Sequence, residues 1–175
     1  EGLRRITKEH GVLLIFDEVV TGFRFAYGGA QAYYGVVPDI CTLGKAIGGG
    51  FPLAAIAARA EIMAHFDKNA VSEDKFMTQV GTLAGNPVAA AAGLKTLEIL
   101  KRPGAYEHIF AIGHALMDGY TEILSKTNLK ARVVGDAPMF DVIFTDQDVV
   151  DYRSSKSDPV LTPRWNQLMR DRGIL

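Results

Sequence analysis

The spacing of apolar positions changes along the chain, and each spacing predicts a different kind of element. Apolar residues three or four positions apart are typical of one helix face, whereas short apolar runs bounded by glycine or proline are typical of buried strands. In the first part of the chain these patterns alternate, which predicts an α/β layer over residues 1–101. The elements predicted there are a helix over 3–10 ended by Gly11, a strand over 12–16, a short helix over 30–34, and strands over 40–43 and 53–58.

A clear helix start follows at Asn86 and Pro87, because asparagine is favoured at the N-cap and proline at the first helical position. Leu94, Leu97 and Leu100 then share one face of the predicted helix.

A smaller α+β unit is predicted over residues 102–175. It begins with a long helix from Tyr106, and the residues predicted to form its buried stripe are Ile109, Ile112, Leu116, Tyr120 and Ile123. The period then becomes that of strands in ARVVG (131–135) and MFDVIFT (139–145). The features of the last predicted helix are a start at Thr162 and Pro163, a face formed by Trp165, Leu168 and Met169, and an end at Gly173.

Two adjacent carboxylates, Asp17 and Glu18, follow four apolar residues in LLIFDEVVTGF (13–23). Burying an unpaired carboxylate costs several kcal/mol. We therefore expect both side chains to lie where the strand emerges, facing water, a metal ion or a cationic ligand.

Composition limits the classes of partner. The 175 residues are 48% hydrophobic, and 19 basic against 20 acidic residues give a net charge of -1, so nothing favours nucleic acid or an anionic membrane surface. No apolar run approaches the ~20 residues of a membrane-spanning helix. The single cysteine, Cys41, is interpreted as a small buried hydrophobe and favours a reducing, cytoplasmic location. Neither end has the pattern of a true terminus, so we expect part of a longer polypeptide whose partners are small molecules or other protein.

Several common chemistries find no support. The four histidines have neither an i, i+4 pair nor a nearby cysteine, so no metal site is predicted. The glycine-rich turn LGKAIGGGF (43–51) matches neither a P-loop nor a dinucleotide-binding fingerprint. Its simplest interpretation is a tight turn that needs glycine backbone angles.

Lys45 is the unusual residue of that turn. Its neighbours Leu43, Gly44, Ala46 and Ile47 offer no polar side chain, and desolvation would lower the pKa of the amine. A lysine of that kind is a Schiff-base nucleophile whose natural partner is a carbonyl cofactor. The alternative is an ordinary surface charge.

Asp17 and Thr82 complete a hypothesis built on Lys45. Pyridoxal phosphate needs a lysine for its aldehyde, a carboxylate for its ring nitrogen, and hydroxyl or backbone donors for its phosphate. Asp17 offers the carboxylate, and QVGTLAGNP (79–87) offers the Thr82 hydroxyl and N–H groups ahead of a helix start. The alternative for that loop is an ordinary connection into an N-cap.

Three segments together resemble a known family. LLIFDEVVTGFR, PDICTLGKAIGGGFPLAA and GTLAGNPVAAAAGL, in this order and at these separations, are similar to class III aminotransferases, which are fold type I pyridoxal-phosphate enzymes. The resemblance spans residues 1–101 and implies that they form the second half of a three-layer α/β/α large domain. It implies that residues 102–175 form part of a smaller α+β C-terminal domain.

The resemblance also implies roles for four residues. Asp17 would pair with the ring nitrogen, and Val19 would pack against one face of the ring. Lys45 would hold the cofactor as a Schiff base and later shuttle a proton. Thr82 would reach the phosphate of the neighbouring subunit's cofactor, which implies a homodimer with shared active sites. The implied reaction moves an amino group from an amine donor to a carbonyl acceptor.

Two alternatives stay open. VTGFRFAYGGAQAYYGVVPD (20–39) is most similar to glutamate-1-semialdehyde 2,1-aminomutases and their close aminotransferase relatives, which allows an isomerase. The longer segment HFDKNAVSEDKFMTQVGT (65–82) and the polar strand GDAPMFDVIFTD (135–146) favour an aminotransferase instead. The second alternative is a non-catalytic protein that retains the fold.

Overall fold

The computed structural model describes residues 1–174 and shows two compact units, each with its own small sheet. The first unit is Glu1–Tyr106 and the second is Glu107–Leu175, of which Leu175 lies outside the described residues. The chain is mixed α/β, as its sequence predicts.

The first unit carries a three-stranded sheet in the order β1-β2-β3. Its strands are β1 (Ile15–Glu18), β2 (Ile40–Leu43) and β3 (Ala55–Ala58), and its helices are α1 (Gly2–Glu9), α2 (Gly29–Tyr34), α3 (Ala60–Met63) and α4 (Pro87–Leu100). β1 and β2 are parallel and are connected through α2, whereas β3 is antiparallel to β2. Short 3₁₀ turns lie at Lys45–Gly48, Ala64–Phe66 and Glu73–Lys75.

The strand predicted over 12–16 instead begins at Ile15 and runs through both carboxylates. Strand pairing explains the shift, because Ile15 lies opposite Ile40, the first residue of β2. Just before it, the Leu14 carbonyl accepts the Asp39 and Ile40 N–H groups at 2.8 and 3.2 Å. The apolar run therefore extends beyond the paired strand, since pairing rather than hydrophobicity sets where the strand starts.

Asp39 fastens the start of β2 to three other parts of the unit. Its buried carboxylate accepts the Leu14 N–H at 2.8 Å, Arg4 Nη1 at 2.8 Å and Arg59 Nη1 at 2.6 Å. The Leu14 N–H and the two guanidinium groups favour the charged form and hold the pKa of Asp39 at about 2. Asp39 therefore connects α1, the entry of β1 and the end of β3.

The predicted start of α4 is confirmed. The Asn86 side chain accepts the Val88 and Ala89 N–H groups at 3.0 and 3.1 Å, and Pro87 is the first helical residue. These bonds satisfy two of the donors that every helix start leaves free.

The packing face of α4 is formed by small residues. Ala89 and Gly93 are buried, whereas Leu94 is 71% exposed. A Cβ at Gly93 would overlap the Leu53 side chain and lie 3.0 Å from the Ile47 carbonyl oxygen. The absence of a side chain at Gly93 therefore lets α4 approach the glycine-rich turn closely.

The second unit contains two helices and a β-hairpin. Its elements are α5 (Ala105–Ser125, whose first two residues belong to the first unit), β4 (Arg132–Asp136), β5 (Met139–Ile143) and α6 (Leu161–Asp171). β4 and β5 pair in antiparallel register. Over the described residues, no helix is both long and apolar enough to cross a membrane.

The prediction of a buried stripe on α5 is wrong for three of its five residues. Ile112, Leu116 and Ile123 are 49%, 49% and 60% exposed, whereas Gly113 is buried. A Cβ at Gly113 would overlap the Ala137 carbonyl oxygen in the hairpin turn. Close backbone approach at a glycine, rather than the isoleucine and leucine spacing, therefore decides which side of α5 faces the hairpin.

The last helix begins slightly earlier than predicted, at Leu161. Asp158 Oδ1 accepts the Val160 and Leu161 N–H groups, each at 2.8 Å. Asp158 therefore caps the start of the helix in place of Thr162. Thr162 lies within the first turn. Gly173 follows the helix with φ +70°, as expected of a residue that ends it.

Trp165 packs among aromatic rings of the second unit. Its ring centroid lies 5.6 Å from that of Tyr120 and 5.8 Å from that of Phe144, both in edge-to-face geometry. Leu168, predicted to share this face, is 41% exposed.

Candidate functional site

The polar residues singled out in the sequence lie at one edge of the first sheet. β1 and β2 are parallel, and Asp17 lies opposite Thr42 while Glu18 lies opposite Leu43. Both strands therefore end at the same edge, and the turn that follows β2 carries Lys45. In open α/β sheets, ligands bind outside the carboxyl ends of parallel strands.

Asp17 is exposed, as expected, and its orientation is fixed by two donors. Asp17 Oδ1 accepts the Val19 N–H at 3.0 Å and the Thr42 hydroxyl at 3.3 Å. Among the described residues, no hydrogen bond or ion pair reaches Asp17 Oδ2. One carboxylate oxygen is thus held by the protein and the other is available to a ligand.

Glu18 contradicts the expectation that both carboxylates face outward, since it is buried with 2% exposure. Its oxygens accept the Ala30 N–H at 2.6 Å, the Gln31 N–H at 3.0 Å and the Thr21 hydroxyl at 3.1 Å. The expected positive partner is therefore the start of α2, where free N–H groups carry partial positive charge. Successive strand residues point to opposite faces, so Asp17 and Glu18 face opposite sides.

Val19 lies against the turn that carries Lys45. A Cβ at Gly44 would lie 3.3 Å from Val19 Cγ1, so the bare Gly44 backbone and the valine are in close contact. Asp17, Val19 and Lys45 therefore lie at or just after the ends of two paired strands that finish at the same edge of the sheet.

Lys45 is exposed, so the desolvation expected from its neighbours is not observed. Ile47 and Gly48 of the same turn are buried, which shows that the apolar neighbours point inward while the lysine points outward. The backbone of Lys45 has φ +48°, a left-handed conformation that is uncommon for a residue with a side chain. Such conformations are concentrated at functional sites.

Thr82 lies exposed in a turn ahead of α4. Over residues 1–174, no hydrogen bond or ion pair joins Thr82 to Asp17, Val19 or Lys45. The loop that carries it leads to the Asn86 cap, which fits the ordinary interpretation of this segment as well.

Two side-chain hydrogen bonds in the first unit were not expected from the sequence. Thr42 donates to Asp17 across the paired strands, and Tyr106 donates its hydroxyl to the Phe23 carbonyl at 3.0 Å. Burial raises the pKa of the Tyr106 hydroxyl. The residue that accepts its hydrogen bond, Phe23, has a left-handed backbone conformation with φ +60°. The strand register could have suggested Thr42, whereas the partners Tyr106 and Phe23 lie 83 positions apart in the sequence.

Cys41 is buried at 4% exposure, which confirms its interpretation as a small core residue. Burial raises the pKa of its thiol, and the nearby Glu18 and Asp17 charges act in the same direction. Within the described residues, no group of three or more His, Cys, Asp or Glu side chains is placed to hold a metal ion.

The first unit is mixed α/β and carries polar residues at the carboxyl edge of its parallel strand pair, and comparison with known proteins identifies the family. The sequence model of the family described as aminotransferase class-III matches residues 1–175. The chain therefore belongs to the class III aminotransferases, which confirms the resemblance and the fold type.

Solved structures agree with this assignment. An omega-transaminase from Sphaerobacter thermophilus is 35% identical with a TM-score of 0.82, over 91% of this chain and 35% of that chain. A β-phenylalanine aminotransferase from Variovorax paradoxus is 31% identical with a TM-score of 0.76, over 95% of this chain and 37% of that chain. A glutamate-1-semialdehyde aminomutase from Pseudomonas aeruginosa PAO1, solved with PMP, is 27% identical with a TM-score of 0.70, over 88% of this chain and 35% of that chain. The chain thus spans little more than a third of the length of these proteins.

Proposed function

We propose that the protein containing this chain is a pyridoxal-phosphate-dependent aminotransferase, and that this chain supplies part of its cofactor site. The observation that carries the proposal is the meeting of an exposed carboxylate, a valine and an exposed amine at one strand edge in a class III aminotransferase. The substrates we propose are an amine or amino acid donor and a carbonyl acceptor. The likeness to an omega-transaminase and a β-phenylalanine aminotransferase supports this choice.

The residues present fit pyridoxal phosphate. Asp17 has an oxygen to offer, Lys45 has no ion pair within the described residues, and Gly44 leaves the turn without a side chain beside Val19. When bound, pyridoxal phosphate supplies an aldehyde that condenses with amines and a ring that withdraws electrons from the substrate carbon.

Each residue then has a chemical role. Lys45 Nζ would hold the cofactor by its aldehyde carbon and, as a free amine, would move the proton at the substrate carbon. The Asp17 carboxylate would hold a proton on the ring nitrogen, because an adjacent negative charge favours the protonated form. The Val19 methyl groups would pack on the ring and exclude water from that face.

The roles of Thr82 and of a second subunit belong to the same proposal. The Thr82 hydroxyl would bind the phosphate of the partner subunit's cofactor, in a homodimer with shared active sites. Its support is the exposed position of Thr82 ahead of the start of α4, where backbone N–H groups favour anions. We also propose a cytoplasmic location, supported by the lone buried Cys41.

We further propose that residues 1–101 are the second half of the large domain and that residues 102–175 are part of the small domain. The division into compact units between Tyr106 and Glu107 supports a boundary close to this position.

Borohydride reduction of the full-length, cofactor-bound protein tests the proposed function. Mass spectrometry should find the phosphopyridoxyl group on Lys45. Lys45→Ala should abolish turnover, whereas the matched control Lys8→Ala removes an exposed lysine from α1 and should retain turnover. A label on another lysine, or wild-type turnover in Lys45→Ala, would contradict the proposal. Turnover of glutamate-1-semialdehyde without any added amine or keto acid would indicate the aminomutase instead.

A further inference from the structure

Glu18 is the largest fully buried side chain among the described residues, and neutral donors alone hydrogen-bond to it there. An ionised carboxylate is retained in such a place only when hydrogen bonds replace the water it has lost. Backbone donors Ala30 and Gln31 and the Thr21 hydroxyl do so at Glu18.

Capping of α2 is an incomplete explanation of this burial. The residue before the helix, Gly28, has no side chain, and a serine or aspartate there would satisfy the same N–H groups locally. The chain instead uses a carboxylate from the end of β1, which closes residues 19–28 between two fixed points. Gly29 accommodates it, because a Cβ at that position would overlap Glu18 Oε2.

The peptide group between Glu18 and Val19 connects this anchor to the proposed cofactor site. Its carbonyl oxygen accepts the Gly22 N–H at 2.8 Å, and its N–H donates to Asp17 Oδ1 at 3.0 Å. Fixing the Glu18 side chain therefore fixes this peptide, and the peptide in turn orients the Asp17 carboxylate.

We propose that Glu18 is a positioning residue of the cofactor site, which holds the Glu18–Val19 peptide so that Asp17 keeps Oδ1 bonded to the protein and Oδ2 exposed. This inference rests on the proposed function for its catalytic meaning, since only there does the orientation of Asp17 matter to a ring nitrogen. It predicts that disturbing the Glu18 carboxylate changes the orientation of the Asp17 carboxylate, although Glu18 itself would not contact the cofactor.

The variant Glu18→Gln tests the inference in the full-length protein. It keeps the size of the side chain but turns an amide NH₂ toward backbone N–H donors, so the bonds to Ala30 and Gln31 cannot all persist. The matched control is Asp39→Asn, which makes the same change in another buried carboxylate that accepts a backbone N–H, at the opposite end of β2.

Hydrogen exchange of the cofactor-free protein is the first readout. The amide hydrogens of the peptide covering residues 17–22 should exchange at least about tenfold faster in Glu18→Gln than in the wild type. In Asp39→Asn they should exchange at the wild-type rate. The second readout is the pH midpoint of the visible absorbance of bound pyridoxal phosphate. If Asp17 is displaced, it stabilises the proton on the ring nitrogen less. The nitrogen that joins Lys45 to the cofactor should then keep its own proton to higher pH, and the midpoint of the absorbance change should rise by about one pH unit.

Thr21 gives a milder pair of variants. Thr21→Val removes the hydroxyl that donates to Glu18 Oε2 and should shift both readouts in the same direction by a smaller amount, whereas Thr21→Ser should match the wild type. If Glu18→Gln does not fold, this pair decides the question.

Wild-type exchange and an unchanged midpoint in Glu18→Gln would overturn the inference. An equal midpoint shift in Asp39→Asn would also overturn it, because general destabilisation would then explain the effect. If the wild-type protein binds no pyridoxal phosphate, the proposed function fails, and the exchange measurement still decides whether Glu18 orders the Asp17–Val19 turn.

Discussion

At the residue scale, Gly29 shows how one missing side chain permits a buried carboxylate. Its backbone has φ +73°, and a Cβ would overlap Glu18 Oε2. Gly29→Ala should therefore lower the free energy of unfolding by about 3 kcal/mol, since it combines left-handed strain with overpacking. Urea unfolding of the full-length protein measures the loss.

Gly35, at the other end of α2, is the control for that experiment. It has a similar φ of +69°, but nothing lies within 4 Å of a Cβ built there. Gly35→Ala should lower the free energy of unfolding by about 1 kcal/mol, the strain of a left-handed backbone alone. Equal losses at Gly29 and Gly35 would show that the contact with Glu18 contributes nothing.

At the element scale, the position of α5 against the hairpin depends on Gly113. Gly113→Ala would force its methyl group into the Ala137 carbonyl and should destabilise the protein by about 2 kcal/mol. Gly119→Ala lies on the same helix with open space around it and should stabilise by about 0.5–1 kcal/mol. Opposite shifts of the urea midpoint are expected, and a midpoint for Gly113→Ala at or above the wild-type value would contradict the packing.

The joining of α1, β1 and β3 by Asp39 should depend on pH. The folded-state pKa of Asp39 is depressed to about 2, below the 3.8 of a free aspartate side chain, so the stabilisation is complete above about pH 4 and is lost as pH falls toward 2. Asp39→Asn should be less stable at neutral pH and should flatten the pH dependence between these values. Urea midpoints from pH 2 to 7 for both proteins provide the measurement, and parallel curves would refute the role of Asp39.

At the scale of the whole molecule, the proposed homodimer with shared active sites predicts complementation between two variants that should each be inactive alone. Lys45→Ala lacks the proposed nucleophile, and Thr82→Asp places a negative charge where we propose a phosphate. In a mixed dimer, one site would combine Lys45 from one subunit with Thr82 from its partner. Refolding equal amounts of the two variants together should restore about a quarter of the wild-type activity, because half of randomly paired dimers are mixed and each has one intact site. No recovery would show that Thr82 serves its own subunit or that the sites are independent.

The sequence by itself determined the features that depend on local chemistry. Asn86 and Pro87 begin α4, Gly173 follows α6, and the strand at 40–43 lies where predicted, because capping and backbone preferences involve neighbouring residues. The motifs also identified the family correctly. The assigned roles of Asp17, Val19, Lys45 and Thr82 stay predictions.

Only the tertiary structure decided which side chains are buried and which elements touch. Glu18 points inward because α2 presents free N–H groups to it, and Lys45 points outward although its neighbours are apolar. Gly113, rather than the adjacent Ile112, faces the hairpin because its bare backbone admits the Ala137 carbonyl. These outcomes depend on contacts with residues distant in the sequence. Hydrophobic periodicity records only the spacing of apolar residues within one segment, so it carries no information about such contacts.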